Sequence, residues 1–310
     1  MSIRSSIVVA VLLALASIAQ AQEKIRLAIL PFSESLGAIV ADKQGYFKAE
    51  GLEVEMSKFN SGALALPVLQ SGKLDIALSN TISTLQAIEQ GLDITLIAPA
   101  AAARAQGADS TTALLVLKGS AASPKDLEGK RIAVNVINSS AWLYMVAVLD
   151  KNGVDRSKVR FVEVPFPQMN DPLLNKQVDA IGQVEPFTTV LMNTGKVDAL
   201  SYTYVDVQPN ADITQYVALG AWVKKNPETA KKFARAIAKG AQFANANDAA
   251  TRTINQEFTN LAPALKDAVR LPRFGEAVNT AEIRKTMDLM IKYGLMKQPV
   301  DVAARVMAAP

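Results

Sequence analysis

The chain has 310 residues, half of them apolar and 20% charged, with 33 Lys and Arg against 29 Asp and Glu, no His and no Cys. The length suits two lobes or one large domain, and the composition is too apolar for disorder. The two zeros exclude Ser-His and Cys-His nucleophiles, His- or Cys-based zinc sites and thiol redox chemistry, leaving Lys, Tyr and the carboxylates as chemical groups.

Residues 1–21 have the layout of a secretory signal: Arg4, an apolar run from Ile7 to Ile18, and Ala19 and Ala21 flanking Gln20. The run falls short of the roughly 20 residues that cross a bilayer, so cleavage before Gln22 and export to the periplasm are expected. Without a Cys near residue 20 there is no point for lipid attachment. Removal leaves 32 basic against 29 acidic residues. The basic residues are scattered and not interleaved with aromatics, so no nucleic-acid partner is expected. An exported chain without disulfides relies on its hydrophobic cores.

Ile25, Leu27 and Ile29 alternate up to Pro31 and predict a strand over 24–30. A helix follows, with Ser33 or Ser35 as its cap and Gly45 as its stop. A strand over 52–59 closes at Asn60-Ser61-Gly62, and a helix over 63–70 ends at Gly72, with Pro67 suggesting a kink or a late start. A strand over 75–78 then runs into Ser79-Asn80-Thr81, followed by a helix to Gln90 and a strand over 94–98. This strict alternation is the signature of a parallel sheet covered on both faces. The Ala-rich stretch 99–110 reads as the approach to a crossing between lobes.

The alternation resumes with a strand over 112–117 and a short helix begun by Ser123-Pro124. A strand over 131–134 leads to a helix opened by Ser139 and Ser140 that runs to about Lys151. Next come a strand over 159–164, Pro165-Phe166-Pro167, a helix to Lys176, a strand over 178–181 and the segment Glu185-Pro186-Phe187. A return strand is placed over 216–222, and beyond Pro227 the pattern is helical, to Asn245 and again around 248–260 and 280–293. Leu69 to Ile76 echoes Leu174 to Ile181 weakly, which suits two related halves.

Open parallel sheets bind ligands beyond the carboxyl ends of their strands. That rule nominates Phe32, Ser33 and Ser35 after the first strand, Ser61 and Gly62 after the second, and Ser79, Asn80 and Thr81 after the third. In the second half it nominates Thr112, Asn138, Ser139, Ser140, Phe166, Gln168 and Glu185. Most are small and polar, and several precede helices whose free amides favour an anionic group, although the same residues are ordinary caps. None of these loops holds a Lys, which argues against a multiply charged anion and for a monoanion or a neutral polar solute. Glu185 can pair across the cleft, accept from a ligand or cap the next helix. Glu34 is the only other acid in these loops, which leaves a carboxylate-pair hydrolase poorly supported.

The run Ala41 to Phe47 (ADKQGYF), Glu50 to Val54 (EGLEV), Ser61-Gly62 and Leu69 to Ile76 (LQSGKLDI) resembles periplasmic binding proteins of the nitrate/sulfonate/taurine type that serve ABC importers. Ser123 to Val134 (SPKDLEGKRIAV), Val178-Asp179-Ala180, Glu185-Pro186-Phe187 and Trp222 to Phe233 (WVKKNPETAKKF) extend the resemblance over the mature chain. The resemblance implies a two-lobed α/β fold of the type II kind, each lobe a mixed, mostly parallel sheet flanked by helices, joined by two crossing strands. The expected division is a signal peptide over 1–21, a discontinuous first lobe over 22–111 and 216–310, and a second lobe over 112–215.

The resemblance further implies no enzyme activity and no cofactor. A monomer is expected to bind a small sulfonate or carboxylate and deliver it to a membrane permease and its ATPase. A sensor subunit for a membrane receptor and a binder of a neutral, pyrimidine-like solute remain alternatives. Enzymes of the same fold that make the thiamine pyrimidine depend on a Cys-rich motif and a His, and this chain has neither.

Overall fold

A computed structural model describes residues 22–308; the expected signal segment 1–21 lies outside the described residues. The first sheet begins with β1 (Glu23–Ile29), whose parallel partner β2 (Leu52–Lys58) follows α1 (Leu36–Lys43) and α2 (Tyr46–Ala49). Gly45 joins those two helices at φ 73°, a left-handed conformation that a residue with a Cβ adopts at a cost. Then come α3 (Gly62–Gln70), β3 (Ile76–Asn80), α4 (Thr81–Glu89) and β4 (Ile94–Pro99). α3 runs through Pro67 with no break, and the Ser71 N–H still reaches the Pro67 carbonyl at 3.0 Å.

After the short β5 (Ala101–Ala102) the chain enters a second sheet through β6 (Ala113–Leu117), β7 (Arg131–Val134), α5 (Ser140–Lys151) and β8 (Arg160–Glu163). It continues through α6 (Asn170–Leu174), β9 (Ala180–Gln183), α7 (Phe187–Met192), β10 (Val197–Tyr202) and α8 (Thr203–Val207). The chain then returns as β11 (Thr214–Leu219), followed by α9 (Gly220–Lys225), α10 (Pro227–Ala246), α11 (Asp248–Thr259), β12 (Arg273–Phe274) and α12 (Thr280–Lys292). Strand order is β2-β1-β3-β11-β4 in one sheet and β10-β6-β9-β7-β8 in the other.

Both sheets are mixed for one reason: each takes in an antiparallel strand at a crossing. β11 inserts antiparallel between β3 and β4, and β6 lies antiparallel to β9. The crossing segments run side by side, Ala103 N–H to Ala211 C=O at 2.9 Å and Thr203 N–H to Thr112 C=O at 2.9 Å. Sequence patterning finds most elements within a few residues. It places β11 two residues late and misses β10 and α8, whose apolar positions follow no clean period.

Helices α10 and α1 pack closely at Gly240, where an added Cβ would come 2.3 Å from the Gly37 carbonyl oxygen. The buried face of α10 is Ala-rich, and its Phe233 stacks on Phe47 with ring centroids 5.5 Å apart. Among the described residues, no helix is long and apolar enough to cross a membrane.

Candidate functional site

Between the two sheets, at the carboxyl ends of their parallel strands, lies a cavity of about 40 Å³. A larger, more open hollow walled by Ala63, Leu66 and Gln86 lies on the first lobe. Of the residues nominated from sequence, Phe32, Ser61, Gly62, Asn80, Thr112, Ser139, Ser140 and Phe166 line the cavity. They come from both sheets, so the wall exists only when the lobes face each other.

Three helices of nine or more residues start at this wall. Ser61 caps α3, its hydroxyl accepting from the Leu64 N–H, and Asn80 caps α4, its Oδ1 accepting from the Ser83 N–H at 2.9 Å. Ser139 stands at the start of α5 and makes no side-chain cap, so its hydroxyl is left for another partner. Gly62 is required here by space, because a Cβ would lie 2.7 Å from the Ser79 Cα. Phe32 and Phe166 meet edge to face with centroids 5.5 Å apart and form an apolar side.

The other nominated residues are placed elsewhere, and each has an evident structural task. The Ser35 hydroxyl accepts from the Leu30 N–H and donates to the Leu30 carbonyl, both at 2.8 Å, which closes the turn after β1. Ser33 donates to Asn255 Oδ1 at 2.9 Å and ties that turn to α11, so neither serine caps α1. Ser79 belongs to β3 because the strand runs to Asn80, and it packs under Gly62. Thr81 donates to the Asp212 carbonyl at 2.5 Å, which fixes the second crossing.

Asn138 is exposed at φ 61°, a left-handed turn position, and its carbonyl accepts from Gln86 Nε2 at 3.3 Å. Gln168 is exposed on the far side of its turn. Glu185, only 1% exposed, accepts from the Thr189 N–H at 3.1 Å and the Thr189 hydroxyl at 2.9 Å, and pairs with Arg270 at 3.1 Å. It therefore caps a helix and ion-pairs at the same time. Arg270 sits in the segment that Arg252 of α11 anchors through the Val269 carbonyl, so the pair ties the C-terminal part of the chain to the second sheet.

Glu34, Asn135 and Val184, which lie in the strand-end loops nominated from sequence, also line the wall, and sequence reasoning missed Leu30, Ala141, Tyr204 and Ile213, which complete it. Asn135, directly after β7, carried the same strand-end signal that nominated its neighbours. Tyr204 sits on α8, which sequence patterning does not reveal, and its ring stacks on Tyr144 at 3.7 Å. Burial holds the Tyr204 phenol well above its usual range.

Glu34 is the distinctive member of the wall. Burial, reinforced by the negative charge of Asp109, pushes its carboxyl up to about 7. No Lys or Arg lines the cavity. Chemically the site offers helix amides and hydroxyls, three aromatic rings and one acid. It brings no pair of carboxylates together, and among the described residues no group of His, Cys, Asp or Glu is arranged to hold a metal ion.

A family model described as NMT1/THI5 like matches residues 33–251 of this chain. The chain belongs to this family. A family relative, the taurine-binding periplasmic protein of Escherichia coli (strain K12), is 27% identical over 233 residues, which are 72% of this chain and 68% of that protein. Among solved structures, the alkanesulfonate-binding protein SsuA from Xanthomonas axonopodis pv. citri, bound to MOPS, superposes with a TM-score of 0.77 at 18% identity. That match covers 92% of this chain and 98% of that one. The periplasmic nitrate-binding protein NrtA from Synechocystis PCC 6803 gives 0.74 at 15% identity, covering 92% and 85%. The fold is thus that of the periplasmic binding proteins, and the relatives include a periplasmic binding protein, in agreement with the resemblance read from the sequence motifs.

Proposed function

We propose that this chain is the extracytoplasmic solute-binding component of an ABC importer, exported by its N-terminal signal and acting as a monomer. It closes on one small organic solute and presents the closed complex to a permease and its ATPase. The observation that carries this reading is the cavity walled from both sheets, with the starts of α3, α4 and α5 on its surface. A solute held by Ser61 and Asn80 on one side and by Ser139 and Ser140 on the other touches both lobes only when they are closed. Closure is then the state that ligand favours.

The head group that suits free helix amides and hydroxyls is a single negative charge, a sulfonate or a carboxylate. The relatives named for taurine, alkanesulfonate and nitrate support such a head. Phe32 and Phe166 hold the apolar body.

Isothermal titration calorimetry with a panel of small sulfonates and carboxylates tests the reading, with chromatography of the mixture afterwards. One ligand per chain and full recovery of the ligand are expected. A ligand at 100 times its dissociation constant should also add about 2.7 kcal/mol to the unfolding free energy. Conversion of any panel member to product, or no binding by any of them, would overturn it.

A further inference from the structure

We propose that Tyr204 is a further solute-contacting residue, donating to the anionic head, and that Tyr144 is its positioning residue, held in place by the C-terminal helix α12. This rests on the cavity being the solute site. Tyr204 lines the cavity, and Tyr144, which does not, stacks on its ring with centroids 3.7 Å apart and planes 25° apart. Both side chains are buried. Two buried rings in such close contact leave no space for one to shift without the other.

The Tyr144 hydroxyl is fixed in turn. It donates to Gln208 Oε1 at 2.8 Å and lies 3.2 Å from the Thr286 hydroxyl, while Gln208 Nε2 donates to the Glu282 carbonyl at 2.9 Å and to Glu282 Oε2 at 3.0 Å. These partners come from three places: Tyr144 from α5, Gln208 from the return crossing, and Glu282 and Thr286 from α12. A Gln208 amide turned over would set its oxygen against the Glu282 oxygens, so the buried network has one arrangement. Six residues on from both Tyr144 and Thr286, Asp150 Oδ2 accepts from Lys292 Nζ at 2.8 Å. Helix α12 therefore runs alongside α5 in the same direction and sets where Tyr144, and through it the Tyr204 ring, stands.

Tyr204 suits an anionic head. Burial keeps its phenol protonated, although the Ser140 hydroxyl beside it pulls the other way. Ser140 gives its own proton to Asn80 Oδ1 at 2.7 Å, so at this corner of the wall the proton open to a solute is that of Tyr204. A hydroxyl donating to a charged oxygen makes one of the stronger hydrogen bonds, and that bond weakens steeply when the donor is misplaced. Loosening Tyr144 therefore lowers affinity from outside the cavity, without removing any group that touches the solute.

The test is titration calorimetry of the exported chain with ethanesulfonate, 2-aminoethanesulfonate and propanoate as probes. Tyr204→Phe should bind the tightest probe about tenfold more weakly, the loss of one charge-assisted hydrogen bond. Tyr144→Phe keeps the ring and removes only its anchor, and should weaken binding about threefold. Placed in Tyr204→Phe, the same change should cost no further affinity, whereas losses that add would show that Tyr144 does not act through Tyr204. Thr286→Ala should weaken binding as Tyr144→Phe does and Thr286→Ser should restore it, which decides the matter even if Tyr144→Phe fails to fold. Wild-type affinity in Tyr204→Phe, Tyr144→Phe or Thr286→Ala overturns the inference; if Ser140→Ala weakens binding in the same series, the solute site itself still stands. No binding by any probe defeats the solute site and the inference together.

Discussion

The Ser140 hydroxyl, at the first residue of α5, donates a 2.7 Å hydrogen bond to Asn80 Oδ1, the cap of α4 on the facing lobe. The same oxygen accepts from the Ser83 N–H at 2.9 Å. One amide oxygen therefore both starts a helix and joins the two lobes beside the cavity. Ser140→Ala removes the junction and leaves the cap; Asn80→Ala removes both.

Ser140→Ala should keep its unfolding midpoint in urea and weaken ligand binding about fivefold, the worth of one hydrogen bond near 1 kcal/mol. Asn80→Ala should show the same loss of affinity and a further loss of about 1 kcal/mol in stability from the missing cap. Calorimetry and denaturation of the two variants separate the effects. Equal stability of the two would refute the shared role of the oxygen.

Arg270→Met should destabilise the chain by about 3 kcal/mol at pH 8, because it strands a buried carboxylate. Burial already lifts the Glu185 carboxyl above its ordinary value, against the Thr189 hydrogen bonds and the Arg270 charge. Without the arginine the folded pKa rises further above the unfolded one. The deficit is therefore greatest at high pH and shrinks as pH falls and Glu185 takes up a proton. Urea unfolding at pH 8 and pH 5 measures it, and Glu185→Gln in the same background should restore part of the loss.

Glu34→Gln should stabilise the ligand-free chain at pH 8. The Glu34 carboxyl titrates at about 7 in the fold and at 4.5 when free. A raised acid binds more protons folded than unfolded, so its contribution is full below 4.5 and is lost as pH rises through 7. The variant has no such loss, and the gap between the two proteins should close by pH 4. Asp212, raised to about 6 by burial, is common to both and cancels. A constant gap across that range would show that Glu34 is not buried in the charged form.

Gly240→Ala should cost about 2 kcal/mol despite the better helix propensity of alanine, because its Cβ meets the Gly37 carbonyl at 2.3 Å. The damage lies in the packing of α10 on α1, away from the cavity, so the folded variant should bind with unchanged affinity. Thermal unfolding and calorimetry on one preparation check both halves of that expectation.

The sequence by itself determined the alternation of strand and helix, the helical C-terminal third and the family, because apolar periodicity and the Gly and Pro stops are local signals. It also drew attention to the strand ends that hold Ser61, Gly62, Asn80, Ser139 and Ser140. Only the tertiary structure decided which hydroxyls face the cavity. Ser35 and Thr81 carry the same small-polar signal as Ser61, yet the first turns back on Leu30 and the second on Asp212, since a cap, a turn and a ligand contact all ask for the same short hydroxyl. Glu34 is the converse case. As one acid in a serine-rich turn it reads as unremarkable, and its meaning comes from distant segments, residues 112, 166, 204 and 213, that close around the same cavity without bringing a Lys or Arg into its wall.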